Sequence, residues 1–315
     1  MKLNVLKQAS LPDALTAELA RRYHLVELTA LTDADFRALA GTFTVLITNG
    51  EASVTRELIA SLPALELIAV FGVGYDGVDV QAAAEHQVRV SHTPGVLTDD
   101  VADLALGLML ATSRQIVAAH KFIEAGEWAA GGFPWTQKVS GSRVGIVGMG
   151  RIGQAIARRC EGFAMQIAYH DRKRLPALNY AWREDLLTLA AESDFLVICT
   201  PGTAANQGLI NQPVLAALGE KGILINISRG SVIDEPALVA VLESGIIAGA
   251  GLDVFSHEPA VPAGLLQRSN VVVTPHMASA TWSTRAAMAQ LVLDNVACWA
   301  EKKALVTPVA ESLAD

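Results

Sequence analysis

The sequence predicts an α/β protein built from two doubly wound parallel sheets. Three observations carry that prediction. Short apolar runs rich in β-branched residues recur along the chain without alternating, the pattern of strands covered on both faces. Segments with apolar residues at helical spacing fall between those runs. The length, 315 residues, suits two domains better than one core.

In chain order, strands are expected at 3–7, 44–48 (TVLIT), 66–72 (ELIAVFG) and 88–92. A helix over about 97–118 starts after the turn signal Thr93-Pro94-Gly95. The glycine-rich stretch 126–142, GEWAAGGFPWTQKVSGS, reads as a loop before a new strand. Further strands are expected at 143–148 (RVGIVG), 166–170 (QIAYH), 194–200, 222–227 (GILINI), 247–254 and 271–275. Helical spacing appears between them, as at 152–160 and 235–243, and the repeated β–helix–β order implies parallel sheets.

Composition excludes several classes. Hydrophobic residues make up 51% and charged residues 18%, which is globular rather than disordered. The net charge is −8, so the chain has no general basic footprint and no nucleic-acid partner is expected. The most apolar stretch, VADLALGLMLA at 101–111, contains Asp103 and is too short to span a bilayer. The start, MKLNVLKQAS, is too polar for a signal peptide. Cys160, Cys199 and Cys298 are far apart, which fits neither a disulfide framework nor a zinc site and suits a reducing compartment. The expectation is a soluble cytoplasmic protein with no bound metal and no membrane partner.

The pattern GxGxxG occurs twice. Gly148-Met149-Gly150-Arg151-Ile152-Gly153 follows RVGIV and opens the helical stretch RIGQAIARR. Glycines there permit a tight turn, backbone approach to a pyrophosphate and close packing of helix on strand, while the helix N-terminus offers free amides. A further strand ends at Asp171, an acid at the distance a ribose diol requires. Gly72-Val73-Gly74-Tyr75-Asp76-Gly77 also lies between a strand and a helix, but the next strand ends in Ser91-His92 with no acid. That loop is either a holder for a smaller anion such as a carboxylate or a plain tight turn.

Three ionisable residues fall just past strands in the same half: Arg229 after GILINI, Glu258 after GLDVF and His276 after VVVTP. Ligands in doubly wound sheets bind at the carboxyl ends of strands. Singly, the arginine reads more readily as a surface charge, the glutamate as a loop residue and the histidine as a hydrogen-bonded core residue. Together they match one chemistry. Arginine forks a carboxylate, histidine exchanges a proton near neutral pH, and a glutamate beside it favours the imidazolium. With a nicotinamide, the set would reduce a 2-keto acid.

The chain resembles the D-isomer-specific 2-hydroxyacid dehydrogenases over nearly its whole length. The blocks that carry the resemblance are GVGYDGVD at 72–79, TPGVLTDDVADLALGLML at 93–110, VGIVGMGRIG at 144–153, INISRGSVIDEPAL at 225–238, AGAGLDVFSHEP at 248–259 and VVVTPHMAS at 271–279. The subgroup it looks most like is the glyoxylate/hydroxypyruvate reductases. The resemblance implies that Arg229 clamps the substrate carboxylate together with the Val73 and Gly74 amides. His276 would protonate the keto oxygen, and Glu258 would keep His276 proton-bearing. Gly148, Gly150 and Gly153 would shape the dinucleotide loop, Arg151 and Ile152 would offer amides to the pyrophosphate, and Asp253 would bind the nicotinamide carboxamide. The implied fold is a Rossmann nucleotide domain, 97–285, inserted into a flavodoxin-like substrate domain made of 1–96 and 286–315. A homodimer is implied, with the 100–140 region contributing and Trp135 a candidate to reach a neighbour. Formate-oxidising members carry Gln where this chain has Glu258, which argues against formate. His92 stands where Asn is common.

The segment YHDRKR at 169–174 leaves the cofactor open between NADH and NADPH. Asp171 fits a ribose diol and repels a 2′-phosphate, whereas Arg172, with Lys173 and Arg174, attracts one. At an exposed rim each charge is worth only about a kcal/mol. The subgroup and the three bases favour NADPH. Other readings are a related enzyme acting on D-lactate, phosphite or a sugar acid, and a dinucleotide-sensing corepressor of the same scaffold.

Overall fold

The computed structural model describes residues 2–312. The chain forms two units, Met1–Leu97 with Thr281–Asp315, and Thr98–Ala280. The first unit opens with β1 (Asn4–Lys7), α1 (Asp13–Arg22), β2 (His24–Glu27), α2 (Asp33–Leu39), β3 (Val45–Asn49), α3 (Arg56–Ala60), β4 (Leu67–Phe71), α4 (Val80–Glu85) and β5 (Arg89–Ser91). These strands are all parallel, in the order β2-β1-β3-β4-β5. The inner strands β3 and β4 are almost wholly buried, which is why they read as unbroken apolar runs. Side-chain oxygens take up first-turn amides: Thr55 accepts from the Leu58 N–H and Asp79 from the Ala82 N–H at 2.7 Å. Leu6, Phe43, Leu46 and Ile68 share one core with Val309 from the far end of the chain.

The second unit contains α5 (Thr98–Ser113), α6 (Ile116–Glu124), β6 (Arg143–Val147), α7 (Arg151–Gly162), β7 (Gln166–His170), β8 (Ala181–Trp182), α8 (Leu186–Ala191), β9 (Phe195–Ile198), α9 (Gln212–Leu218), β10 (Ile223–Asn226), α10 (Glu235–Glu243), β11 (Gly249–Leu252), α11 (Ala263–Leu266) and β12 (Val271–Val273). Its strand order is β12-β11-β10-β9-β6-β7-β8, again all parallel. The order reverses beside β6, between β9 and β7, and the crevice at such a switch point is where α/β sheets take ligands. Helix α5 packs on α7, β10 and β11. Glycine makes that approach possible, because a Cβ at Gly251 would lie 3.0 Å from the Leu108 Cβ and 2.9 Å from the Ile225 Cδ1. Arg159 of α7 also reaches α5, donating to Asp103 at 2.5 Å and to Asp99 at 3.0 Å.

The chain then returns to the first unit as α12 (Trp282–Lys302), whose cap residue Thr281 accepts from the Thr284 N–H at 3.3 Å. Trp299 of α12 donates to Glu66 at 3.2 Å, and Pro308 makes an isolated antiparallel bridge to Ser91 of β5. Every strand expected from the sequence is present, shortened by a residue or more at most ends. Two were not foreseen, β2 and β8, both edge strands. The single helix expected over 97–118 is two helices. Gln115 takes a left-handed φ of 50°, so the ladder breaks and α6 leaves at 54° to α5. Among the described residues, no single helix is long and apolar enough to cross a membrane.

Candidate active site

The carboxyl ends of β10, β11 and β12 each deliver one of the charged residues singled out above. Arg229 follows β10 after a turn made by two buried polar residues. The Ser228 N–H donates to the Asn226 Oδ1 at 3.0 Å, and the Asn226 side-chain amide donates to the Arg229 carbonyl at 3.0 Å. The Ser228 hydroxyl donates to the Thr200 carbonyl, tying this turn to the end of β9. The next residue must be glycine, because a Cβ at Gly230 would stand 1.9 Å from the Phe255 carbonyl carbon.

Glu258 and His276 meet directly, the His276 Nδ1 lying 2.8 Å from the Glu258 Oε2. A carboxylate only accepts, so Nδ1 carries the hydrogen. The other glutamate oxygen accepts the Phe255 N–H at 2.8 Å. Burial pushes the Glu258 carboxyl up, but the His276 bond, the Phe255 amide and the charges of His276 and Arg229 outweigh it. The net effect holds Glu258 below the usual carboxylate range. The Arg229 charge therefore acts on the same carboxylate that holds His276.

Asp253 is fully buried just past β11. Its Oδ1 accepts the Thr274 hydroxyl at 2.6 Å and the Met277 N–H at 2.9 Å, while its Oδ2 accepts the Ala278 N–H at 2.9 Å. Burial raises its pKa, and those three donors only partly offset the rise. The Asp253 carbonyl accepts the His276 N–H at 2.8 Å. This acid thus builds the 274–278 loop and holds His276 in a left-handed conformation with φ 49°. Sequence reasoning assigned it only toward the nicotinamide. It passed over Thr274, the Phe255 amide, Asn226 and Ser228, although polar residues at the end of an apolar strand, as in ILINIS, were the available signal.

The glycine loop after β6 fits a dinucleotide. Gly148 has φ 93°, and a Cβ there would sit 2.8 Å from the Thr200 nitrogen. A Cβ at Gly153 would stand 2.2 Å from the Gly148 carbonyl oxygen. At Gly150, the cap of α7, a Cβ would meet nothing within 4 Å, so the backbone there borders open space. Asp171 closes the loop's far side. Its Oδ2 accepts the Met149 N–H at 2.9 Å and its Oδ1 the Arg172 N–H at 2.7 Å. The side chains of Arg172, Lys173 and Arg174 are exposed.

Val73 and Gly74 belong to the first unit, in the loop after β4. A Cβ at Gly77 would lie 2.5 Å from the Ala52 carbonyl oxygen, so that position needs glycine, whereas one at Gly72 would lie 3.3 Å from the Gly50 backbone, a tight but smaller conflict.

A family model described as D-isomer specific 2-hydroxyacid dehydrogenase, NAD binding domain, matches residues 106–278. The chain is 45% identical over 309 residues to a hydroxyphenylpyruvate reductase of Plectranthus scutellarioides, covering 98% of this chain and 99% of that one. It is 40% identical to a glyoxylate/hydroxypyruvate reductase A of Arabidopsis thaliana, with the same coverage of 98% and 99%. The solved NADPH-dependent glyoxylate/hydroxypyruvate reductase of Sinorhizobium meliloti, in complex with NADP and malonate, superposes with a TM-score of 0.93 at 42% identity. That match covers 99% of this chain and 98% of that one.

Proposed function

Because the chain belongs to the D-isomer specific 2-hydroxyacid dehydrogenase family, we propose that it reduces a small 2-keto acid, glyoxylate or hydroxypyruvate, to the D-2-hydroxy acid with NADPH as the favoured donor. The observation that carries the reading is the His276–Glu258 pair, 2.8 Å apart, under the influence of Arg229. The Arg229 guanidinium binds the substrate carboxylate, assisted by the Val73 and Gly74 amides. His276 gives the proton on Nε2 to the keto oxygen, and Glu258, ionised and bound at Nδ1, stabilises the imidazolium until that transfer. The nicotinamide, when bound, supplies the hydride that completes the reduction. Gly148, Gly150 and Gly153 leave room for its pyrophosphate at the Arg151 and Ile152 amides. Asp253, through its loop, keeps His276 in place and is assigned to the carboxamide.

The lean to NADPH rests on Arg172, Lys173 and Arg174 and on the named cofactor of the Sinorhizobium meliloti relative. The test is kcat/KM for NADPH and NADH with glyoxylate, hydroxypyruvate and hydroxyphenylpyruvate. The proposal expects turnover of the two small acids and a higher value with NADPH. A strong NADH preference overturns the cofactor lean. Turnover of the aryl acid alone moves the substrate assignment to the larger pyruvates that the Plectranthus scutellarioides relative is named for. No turnover with tight NADH binding favours a sensor.

The working form is proposed as a cytoplasmic homodimer. Ile116, Val117 and Ile123 on α6 and Trp128 and Trp135 beyond it are exposed, Trp135 completely. Exposed apolar side chains on one helix and the segment that follows it suit a subunit contact. Unpaired cysteines suit a reducing compartment.

A further inference from the structure

We infer that His92 is a positioning residue for the Val73–Gly74 anion loop, its ring aiming the Gly74 amide at the substrate carboxylate; the inference deepens the keto-acid reading and rests on it. The argument lies within the first unit. The His92 Nδ1 lies 2.9 Å from the Val73 carbonyl oxygen. A carbonyl only accepts, so Nδ1 carries the hydrogen in either charge state of the ring. One residue along, the Thr93 N–H donates to the Gly72 carbonyl at 2.8 Å. A trans peptide is planar, with its C=O and N–H pointing in opposite directions. Holding the Gly72 and Val73 carbonyls from the 92–93 side therefore turns the next amides, Val73 N–H and Gly74 N–H, to the other side. Two successive amides facing one way form a concavity that takes an anion. Neither of them donates to another group among the described residues.

His92 is itself held from behind. Its N–H donates to the Thr307 carbonyl at 3.2 Å, and the Thr307 hydroxyl donates to its carbonyl at 2.6 Å. Asn295, 1% exposed on α12, accepts the Val306 and Thr307 amides at 3.0 Å each and donates to the Thr307 hydroxyl at 2.8 Å. The Tyr75 ring meets the His92 ring edge-on at 5.3 Å. Thr93 holds one peptide through the backbone and any residue could do so. Only the Val73–Gly74 peptide is held by a side chain, which makes His92 the replaceable part.

Three variants test this in the full-length enzyme: His92→Leu removes the donor, His92→Asn keeps an N–H attached to Cγ as Nδ1 is, and His92→Gln moves it one carbon out. The expected result is a keto-acid KM raised about tenfold in His92→Leu and His92→Gln, the loss of one well-aimed hydrogen bond. His92→Asn should stay within about twofold of the parent, and kcat, the NADPH Kd and the thermal midpoint should hold in all three. An unchanged KM in His92→Leu overturns the inference. So does equal impairment in His92→Asn and His92→Leu, which would assign the effect to ring packing on Tyr75. A KM rise accompanied by a lower midpoint or weaker NADPH binding also overturns it, as general slackening. Arg229→Ala separates this from the parent reading. A raised KM in Arg229→Ala with none in His92→Leu removes only the positioning role, whereas an unmoved KM in both removes the carboxylate assignment.

Discussion

Asp253 is an acid with no exposure and a raised pKa, and it is retained because its loop offers it three donors. Asparagine has nearly the same shape but only one accepting oxygen. In Asp253→Asn the side-chain NH2 would confront the Ala278 N–H, an unmet buried donor costing about 2 kcal/mol. The expected outcome is a lower thermal midpoint together with a fall in kcat, read by calorimetry and steady-state kinetics, because His276 rides on the same loop. Glu258 behaves in the opposite sense. Its folded pKa lies below the unfolded one, so its stabilising contribution is present above the unfolded carboxylate pKa and is lost as pH falls through the folded value. Glu258→Gln removes that dependence and the charge that supports the imidazolium. Activity should drop about a hundredfold, and the alkaline limb of the pH–rate profile should move to lower pH. An unmoved limb would detach Glu258 from proton transfer. His276→Ala should lose kcat mainly, whereas Arg229→Ala should lose KM and kcat together.

At the scale of elements, the β6–α7 junction depends on Gly153. Its replacement by alanine puts a methyl carbon 2.2 Å from the Gly148 carbonyl, so strand and helix must part. Gly153→Ala should weaken NADPH binding by about tenfold or more while the first unit's core is untouched, as titration by cofactor fluorescence would show. Helix α6 supports another prediction. Ile123→Glu combined with Trp128→Glu should yield monomer in sedimentation, and an unchanged mass would place the subunit contact elsewhere. Both junctions also show what could be read in advance. The strands β3, β4, β6, β9 and β10 are buried on both faces, so their own residues announce them. β2 could not be read that way: HLVE is four residues long with exposed ends, and its pairing with β1 defines it. β8 is two residues long and exists only as a partner of β7. The α5–α6 break was hidden because Gln115 is not a residue that advertises positive φ. In the site, the ionisable groups stood out at strand ends, whereas the Asp253 loop and the His92 brace join residues distant in sequence and had no local signature.

At the scale of the whole molecule, each unit has a core of its own. Leu196, Ile198, Leu224 and Leu252 anchor one, and Leu6, Leu46, Ile68 and Val90 the other. NADPH at a hundredfold over its Kd should stabilise the unit that carries the glycine loop by about 2.7 kcal/mol. Calorimetry with and without cofactor would register this as an upward shift of the transition belonging to Thr98–Ala280. The return of the chain through α12 has a further consequence, in the order of synthesis. The first 97 residues emerge from the ribosome lacking the helix and the Pro308 and Val309 contacts that finish their core. At roughly 5–20 residues per second, the intervening segment imposes a wait of about ten to forty seconds. During that interval the nascent sheet exposes the face α12 will cover, and at its end Thr98–Ala280 is complete while α12 has still to emerge. The half that appears first is thus the last to be completed, and it is the half whose unfinished surface a chaperone would meet.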